Sequence, residues 1–180
     1  MKKITLSFII ITTISSAQLR IGMDLRRDES MGGIIGTAIA SQTDVGKLDG
    51  MGFTLGYDYM PILASGKPSF LGLGAEYTMG GEEGIDMVYG YVVSKIYNTL
   101  IIRGGYSLPL GGGKADQYKT GFAWGFGLRL KPRDWRIGIE ALYTIHNLEK
   151  KEAEDEFGQI LDVLFGVNYS VRNISLTYSI

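Results

Sequence analysis

Histidine occurs once in this 180-residue sequence, at His146, and cysteine does not occur at all. One imidazole without a thiol is a poor start for a zinc-type site, which draws its ligands from several His or Cys side chains, so no metal is expected. Disulfides, thiolate chemistry and a lipid-bearing N-terminal cysteine are closed to the chain for the same reason. Glu82, Glu83 and Asp86 lie near one another in sequence. They lack the ligand spacing of an EF-hand and could offer only a loose calcium contact. Gly111-Gly112-Gly113-Lys114 looks like part of a phosphate-binding loop, but Leu108 stands where its first glycine belongs and Ala115 where Ser or Thr should follow. A surface loop is the better reading. No catalytic residue and no cofactor follow from these motifs.

The residues with the most chemical content are charges set inside alternating segments. Eight segments alternate best: Leu19–Leu25, Phe53–Tyr59, Leu71–Tyr77, Met87–Val93, Leu100–Tyr106, Phe122–Leu130, Trp135–Tyr143 and Leu161–Tyr169. Each is close to the length a tilted membrane strand needs. Pooled, the face carrying the first residue of each segment has 35 positions, one glycine and no charged residue, although 21% of the chain is charged. The other face has 27 positions, of which nine are charged and ten are glycine. Its charges are Arg20, Asp24, Asp58, Glu76, Arg103, Arg129, Arg136, Glu140 and Asp162. Four cations against five anions is near neutrality. That suits mutual pairing better than an ion pore, which would carry one dominant sign.

The positioning element is therefore a closed barrel of antiparallel strands, and its two faces must be assigned. Glycine weakens a strand and serves no purpose on a face that meets water. A narrow barrel does need small residues beside Arg, Asp and Glu if these are packed inside. The glycine-and-charge face is read as the interior and the apolar face as lipid-facing, in preference to a soluble barrel with the faces reversed. The fold class is all-β, an up-and-down transmembrane barrel of eight strands. Ten is the alternative, because Ile34–Ala40 is a weak further candidate and Ile174–Ile180 is another alternating stretch. A bulge near Arg172-Asn173 could instead join that stretch to one long final strand. Short connections fall at 60–69, near Asn98 and at Lys131–Asp134, with longer, charged loops between. This puts Tyr77, Tyr106, Trp124 and Tyr143 at one membrane boundary and Tyr59, Tyr97, Trp135 and Tyr169 at the other, as two aromatic girdles.

The first residues read as an export signal: Lys2 and Lys3, an apolar stretch over Ile4–Thr13, then Ser15-Ser16-Ala17. The apolar part is short of a membrane-spanning helix. Cleavage after Ala17 is expected, leaving a barrel domain over 18–180. The net charge of −1 gives no electrostatic reason to expect a nucleic-acid partner.

The leader, the strand–turn–strand segment GFAWGFGLRLKPRDWRIGIEALY and the alternating end ISLTYSI resemble the small outer-membrane β-barrel superfamily that includes the OmpA membrane domain, OmpX and OmpW. The chain ends in Ile180, where the superfamily's assembly signal usually ends in Phe. The resemblance implies an outer-membrane location, with outer-membrane lipid, lipopolysaccharide and the assembly machinery as partners and a surface ligand left unnamed. For function it implies a non-enzymatic barrel that presents loops for envelope integrity or surface contact. The alternative is a narrow channel or a carrier of small hydrophobic compounds, as in OmpW-like proteins. A lipid-modifying enzyme is the third reading, for which His146, Ser107 and Glu149 would be the catalytic set.

Overall fold

The computed structural model describes residues 15–31, 46–48, 51–63, 65, 68–81, 84–112, 115–132, 134–151 and 167–180. Ten strands run in chain order: β1 (Ser15–Met31), β2 (Gly46–Leu48), β3 (Phe53–Pro61), β4 (Leu71–Met79), β5 (Asp86–Ile96), β6 (Leu100–Gly111), β7 (Tyr118–Lys119), β8 (Gly121–Leu130), β9 (Ile137–Lys150) and β10 (Val167–Ser179). Eight of them are long. They pair antiparallel in the order β10-β1-β3-β4-β5-β6-β8-β9, and β9 returns to β10, so the sheet closes on itself. The short β2 and β7 only extend the edges of β1 and β9. The protein is an eight-stranded antiparallel barrel, and closure leaves none of the long strands with an unpaired edge. No helix among the described residues is long and apolar enough to cross a membrane.

Three connections, the first strand's start and the last strand's end share one end of the barrel, called here the turn end. The connections β3–β4, β5–β6 and β8–β9 lie there; the other four lie at the loop end. The β5–β6 turn is built on Tyr97 and Asn98, with φ of 50° and 56°. Positive φ at both central positions is what a type I′ turn demands, and Asn tolerates it better than most residues. Thr99 N–H closes the turn on Ile96 C=O at 3.0 Å.

The last strand is a single long one, and Ile174, Leu176 and Tyr178 belong to it. Its alternation runs unbroken from Tyr169 to Tyr178. The irregularity expected at Arg172-Asn173 sits in its neighbour, where the β1–β10 register shifts between Asp24 and Arg26. Leu25 is the extra residue of this bulge, and beyond it Arg27 rather than Arg26 turns inward. β1 begins at Ser15, and Ser15–Ala17 pair with Pro61–Tyr59. The expected cleavage point after Ala17 thus falls within a strand. Most of the leader, the candidate strand Ile34–Ala40, and Glu82, Glu83 and Asp162 lie outside the described residues.

Six of the eight segments face as their apolar pattern demands and Met87–Val93 is inverted, while of Leu161–Tyr169 only Val167–Tyr169 is among the described residues. In β5 it is Met87, Tyr89, Tyr91 and Val93 that point inward, leaving Val88, Gly90 and Val92 outside. In β10, Val167 and Tyr169 are buried. β5 is apolar on either side, so the pattern alone does not fix its phase. The turn and the neighbouring register fix it instead. The outer wall is apolar around the barrel: Ile21, Leu55, Leu73, Val92, Ile102, Leu128, Ile139 and Leu176 are all exposed.

Candidate functional site

The lumen is filled by a connected charge network. Glu76 on β4 stands at its centre, and its Oε2 accepts from Arg20 Nη2 and Arg103 Nη1, both at 2.5 Å. Arg20, on β1, also lies 3.4 Å from a Glu140 oxygen and 3.6 Å from Asp58. Its Nη2 donates to the Tyr91 hydroxyl at 2.8 Å, and that hydroxyl donates to Asp58 Oδ1 at 2.7 Å. Lys95 Nζ lies 2.6 Å from Asp58, and Arg129 Nε lies 3.5 Å from Glu140. Gln18 bridges two members, donating to Glu140 at 2.6 Å and accepting from Lys95 at 2.7 Å. Arg103 also donates to Thr144 at 2.7 Å and lies over the Tyr91 ring, 4.9 Å from its centroid. Every charged member is almost fully buried. Such groups are tolerable in a closed interior only when paired and hydrogen-bonded, as these are.

Glycine makes the space. A Cβ on Gly56 would meet Arg20 Nη2 at 2.6 Å, and one on Gly74 would strike the Tyr91 ring and lie 2.7 Å from Asp58 Oδ1. The small residues of β3 and β4 are thus the counterpart of the large ones on β1 and β5.

Of the charges expected inside, Arg20, Asp58, Glu76, Arg103, Arg129 and Glu140 meet in this network. Asp24 is interior but lies nearer the loop end, where Asn173 Nδ2 donates to it at 2.9 Å and Thr54 faces it at 3.4 Å. Arg136 is a correction. It precedes β9 at the turn end, is exposed, and reaches the Tyr178 hydroxyl at 3.4 Å. The chain has not yet entered the barrel wall there, so alternation does not apply to it.

Lys95, Gln18, Tyr89 and Tyr91 were missed by the sequence reading. One signal was available: Lys95 continues the phase of Met87–Val93, so a lysine lay on the face taken as lipid-facing. The girdle aromatics divide likewise. Tyr77, Tyr106 and Trp124 are exposed at the loop end and Tyr97 and Trp135 at the turn end, while Tyr59 and Tyr143 are half-exposed on the outer wall. Tyr169 is the second correction. It is buried, lies at the loop end, and packs 6.2 Å from the His146 ring.

His146 and Ser107 do come together, with Nδ1 and the hydroxyl 2.6 Å apart. Both are shut inside the wall, at 2% and 0% exposure. Glu149 is exposed, and alternation along β9 sends it to the opposite face from His146. The structure therefore brings two of the three candidate catalytic groups together and not the third. No cluster of three or more potential metal ligands occurs among the described residues.

Above the network, an apolar cluster of Ile85, Met87, Tyr118, Leu148, Val167 and Tyr169 closes the loop end. Below it, the turn end opens into a cavity of about 630 Å³. The lumen is one-ended among the described residues.

The sequence matches no protein-family model and no curated protein. Among solved structures the chain is similar to Ail, the attachment invasion locus protein of Yersinia pestis, in complex with a heparin analogue. Identity is 19%, the match covers 93% of this chain and 99% of that one, and the TM-score is 0.46. It is also similar to Neisserial surface protein A (10% identity, 91% and 96% covered, TM-score 0.46). A third is a de novo designed transmembrane β-barrel (10%, 91% and 95%, 0.39). The fold itself rests on the closed register described above.

Proposed function

We propose that the chain is an outer-membrane β-barrel that works without catalysis, a plugged support for loops that serve envelope integrity or surface contact. The observation that carries this reading is the filled lumen. Three carboxylates and four cations interlock across it, and an apolar cluster seals one end. A water-filled pore needs a continuous path, which neither layer leaves among the described residues. Lipid as partner is supported by the exposed apolar wall and by its two outward arginines. Arg26 and Arg172 both sit towards the loop end, the latter 5.8 Å from the Tyr143 ring centroid. Long cationic side chains at a membrane boundary reach for headgroups in this way. The enzymatic reading is disfavoured by the burial of Ser107 and His146, at which the described residues leave no opening for a lipid.

Fractionation and planar-bilayer recording test the proposal together. The protein should fractionate with outer membranes, with a mature N-terminus at Gln18, and should show no steady conductance. Recovery as a soluble periplasmic species would refute the membrane assignment. A steady current whose ion selectivity changes in Glu76→Gln, without loss of stability, would replace the plug with a channel.

A further inference from the structure

The cavity at the turn end has a composition the plug does not explain. Lys95, Arg129 and Lys131 all line it, together with the polar groups of Asn98 and Ser179, and no carboxylate is among the described residues that line it. The acids that partner Lys95 and Arg129 are Asp58 and Glu140, which lie deeper and are at most 1% exposed. The network supplies three carboxylates, Asp58, Glu76 and Glu140, against Arg20, Lys95, Arg103 and Arg129, and Lys131 adds a fifth cation at the rim.

This surplus of positive charge is concentrated at one point. Arg129 Nη2 and Lys131 Nζ both donate to the single hydroxyl of Ser179, at 3.2 and 2.8 Å. Arg129 Nη1 donates to Asn98 at 2.7 Å, and its buried Nε makes no hydrogen bond. Two cations sharing one neutral acceptor is an unfavourable arrangement unless an anion joins them. Lys131, in the turn after β8, is affected directly. Partial burial, and then the charges of Arg129 and Lys95, hold its ammonium below its ordinary pKa.

We infer that the turn-end vestibule is a binding site for a phosphate group, held by Lys131 and Arg129, with Lys95 lining the same cavity. A tetrahedral oxyanion offers Lys131 and Arg129 separate acceptor oxygens, where the Ser179 hydroxyl has one for both. The cavity is larger than inorganic phosphate needs, so a phosphate ester fits it. Phe70, which lines the cavity and is itself exposed, offers an apolar contact to an anionic phospholipid whose headgroup enters at the same rim. Free phosphate and a headgroup present the same chemistry, and the test separates them. The lipid source rests on the membrane reading above; the phosphate site itself does not.

The full chain, purified from membranes in octyl glucoside, is titrated with inorganic phosphate in a calorimeter. Native mass spectrometry then follows retention of phosphatidylglycerol against phosphatidylcholine from mixed micelles. Phosphate should bind saturably, and more weakly as salt rises. Lys131→Gln should weaken it about tenfold, the loss of one charged hydrogen bond. Lys131 has a hydroxyl as its hydrogen-bond partner, so this change strands no buried acid. Lys119→Gln, at the loop end, should leave binding unchanged. Selective retention of one phosphatidylglycerol, lost in Lys131→Gln, identifies the headgroup as the source. Saturable phosphate binding with equal retention of both lipids identifies free phosphate. Absence of saturable phosphate binding, or binding indifferent to Lys131→Gln, overturns the site. Conductance measured on the same protein keeps this outcome separate from the fate of the plug.

Discussion

Glu76 is the residue on which the interior turns, because one of its oxygens serves two guanidinium groups. Removing a partner from a buried ion pair costs more than the pair contributes, since the stranded charge stays in a poorly solvated place. Glu76→Gln strands Arg103, which has no other carboxylate among the described residues, and leaves Arg20 only its longer contacts to Glu140 and Asp58. Arg103→Gln strands none completely, because Arg20 remains on Glu76. The first should therefore destabilise by about 3–5 kcal/mol and the second by clearly less. The double variant should recover part of the Glu76 loss, as expected of residues in contact. Urea unfolding from lipid vesicles measures all three. Equal, near-zero effects would mean that water screens the network.

At the scale of the strand, the informative element is β5, whose apolar residues lie on both faces. Its outward residues are Val88, Gly90 and Val92, and the larger Met87, Tyr89 and Tyr91 are spent on the interior. The reason is visible in what they touch. Tyr91 ties Arg20 to Asp58, and Tyr89 packs edge-on to His146 with ring centroids 5.4 Å apart. A charge on the lipid face near mid-membrane costs about 2–4 kcal/mol in a barrel. Val92→Arg should pay that penalty in full, as should Leu128→Arg on β8, in unfolding from vesicles of matched thickness. If β5 had the opposite phase, Val92→Arg would be mild and only Leu128→Arg severe.

The whole molecule is asymmetric along its axis, with an apolar seal at the loop end, charges at the middle and a polar vestibule at the turn end. That order predicts one-sided access for small solutes. The chain has no cysteine, so single replacements report cleanly. Ser179→Cys, beside the vestibule, should react readily with a water-soluble maleimide in vesicles permeable to it. Ser107→Cys, under the loop-end seal, should react at least an order of magnitude more slowly, since reaction there waits on local opening. Similar rates at both positions would mean a lumen wetted from end to end.

Much of this was decided by the sequence. Alternation with period two, glycines mixed with charges on one face and tight turns at Asn98 and Lys131–Asp134 are local properties. Together they define a small barrel with a polar interior, because a strand's side chains alternate whatever it packs against. In six of the alternating segments charge is confined to one side, so their facing followed as well. β5 did not declare itself, since hydrophobicity sorts faces only where the two differ. Tertiary structure decided that Tyr169 lies inside, that Arg136 lies outside the wall, and that Lys95 joins Asp58. It also decided that Glu76 bridges Arg20 and Arg103. Those partners are 27 and 56 residues away in sequence, and ion pairs across a closed barrel depend on register and closure, which no local pattern contains.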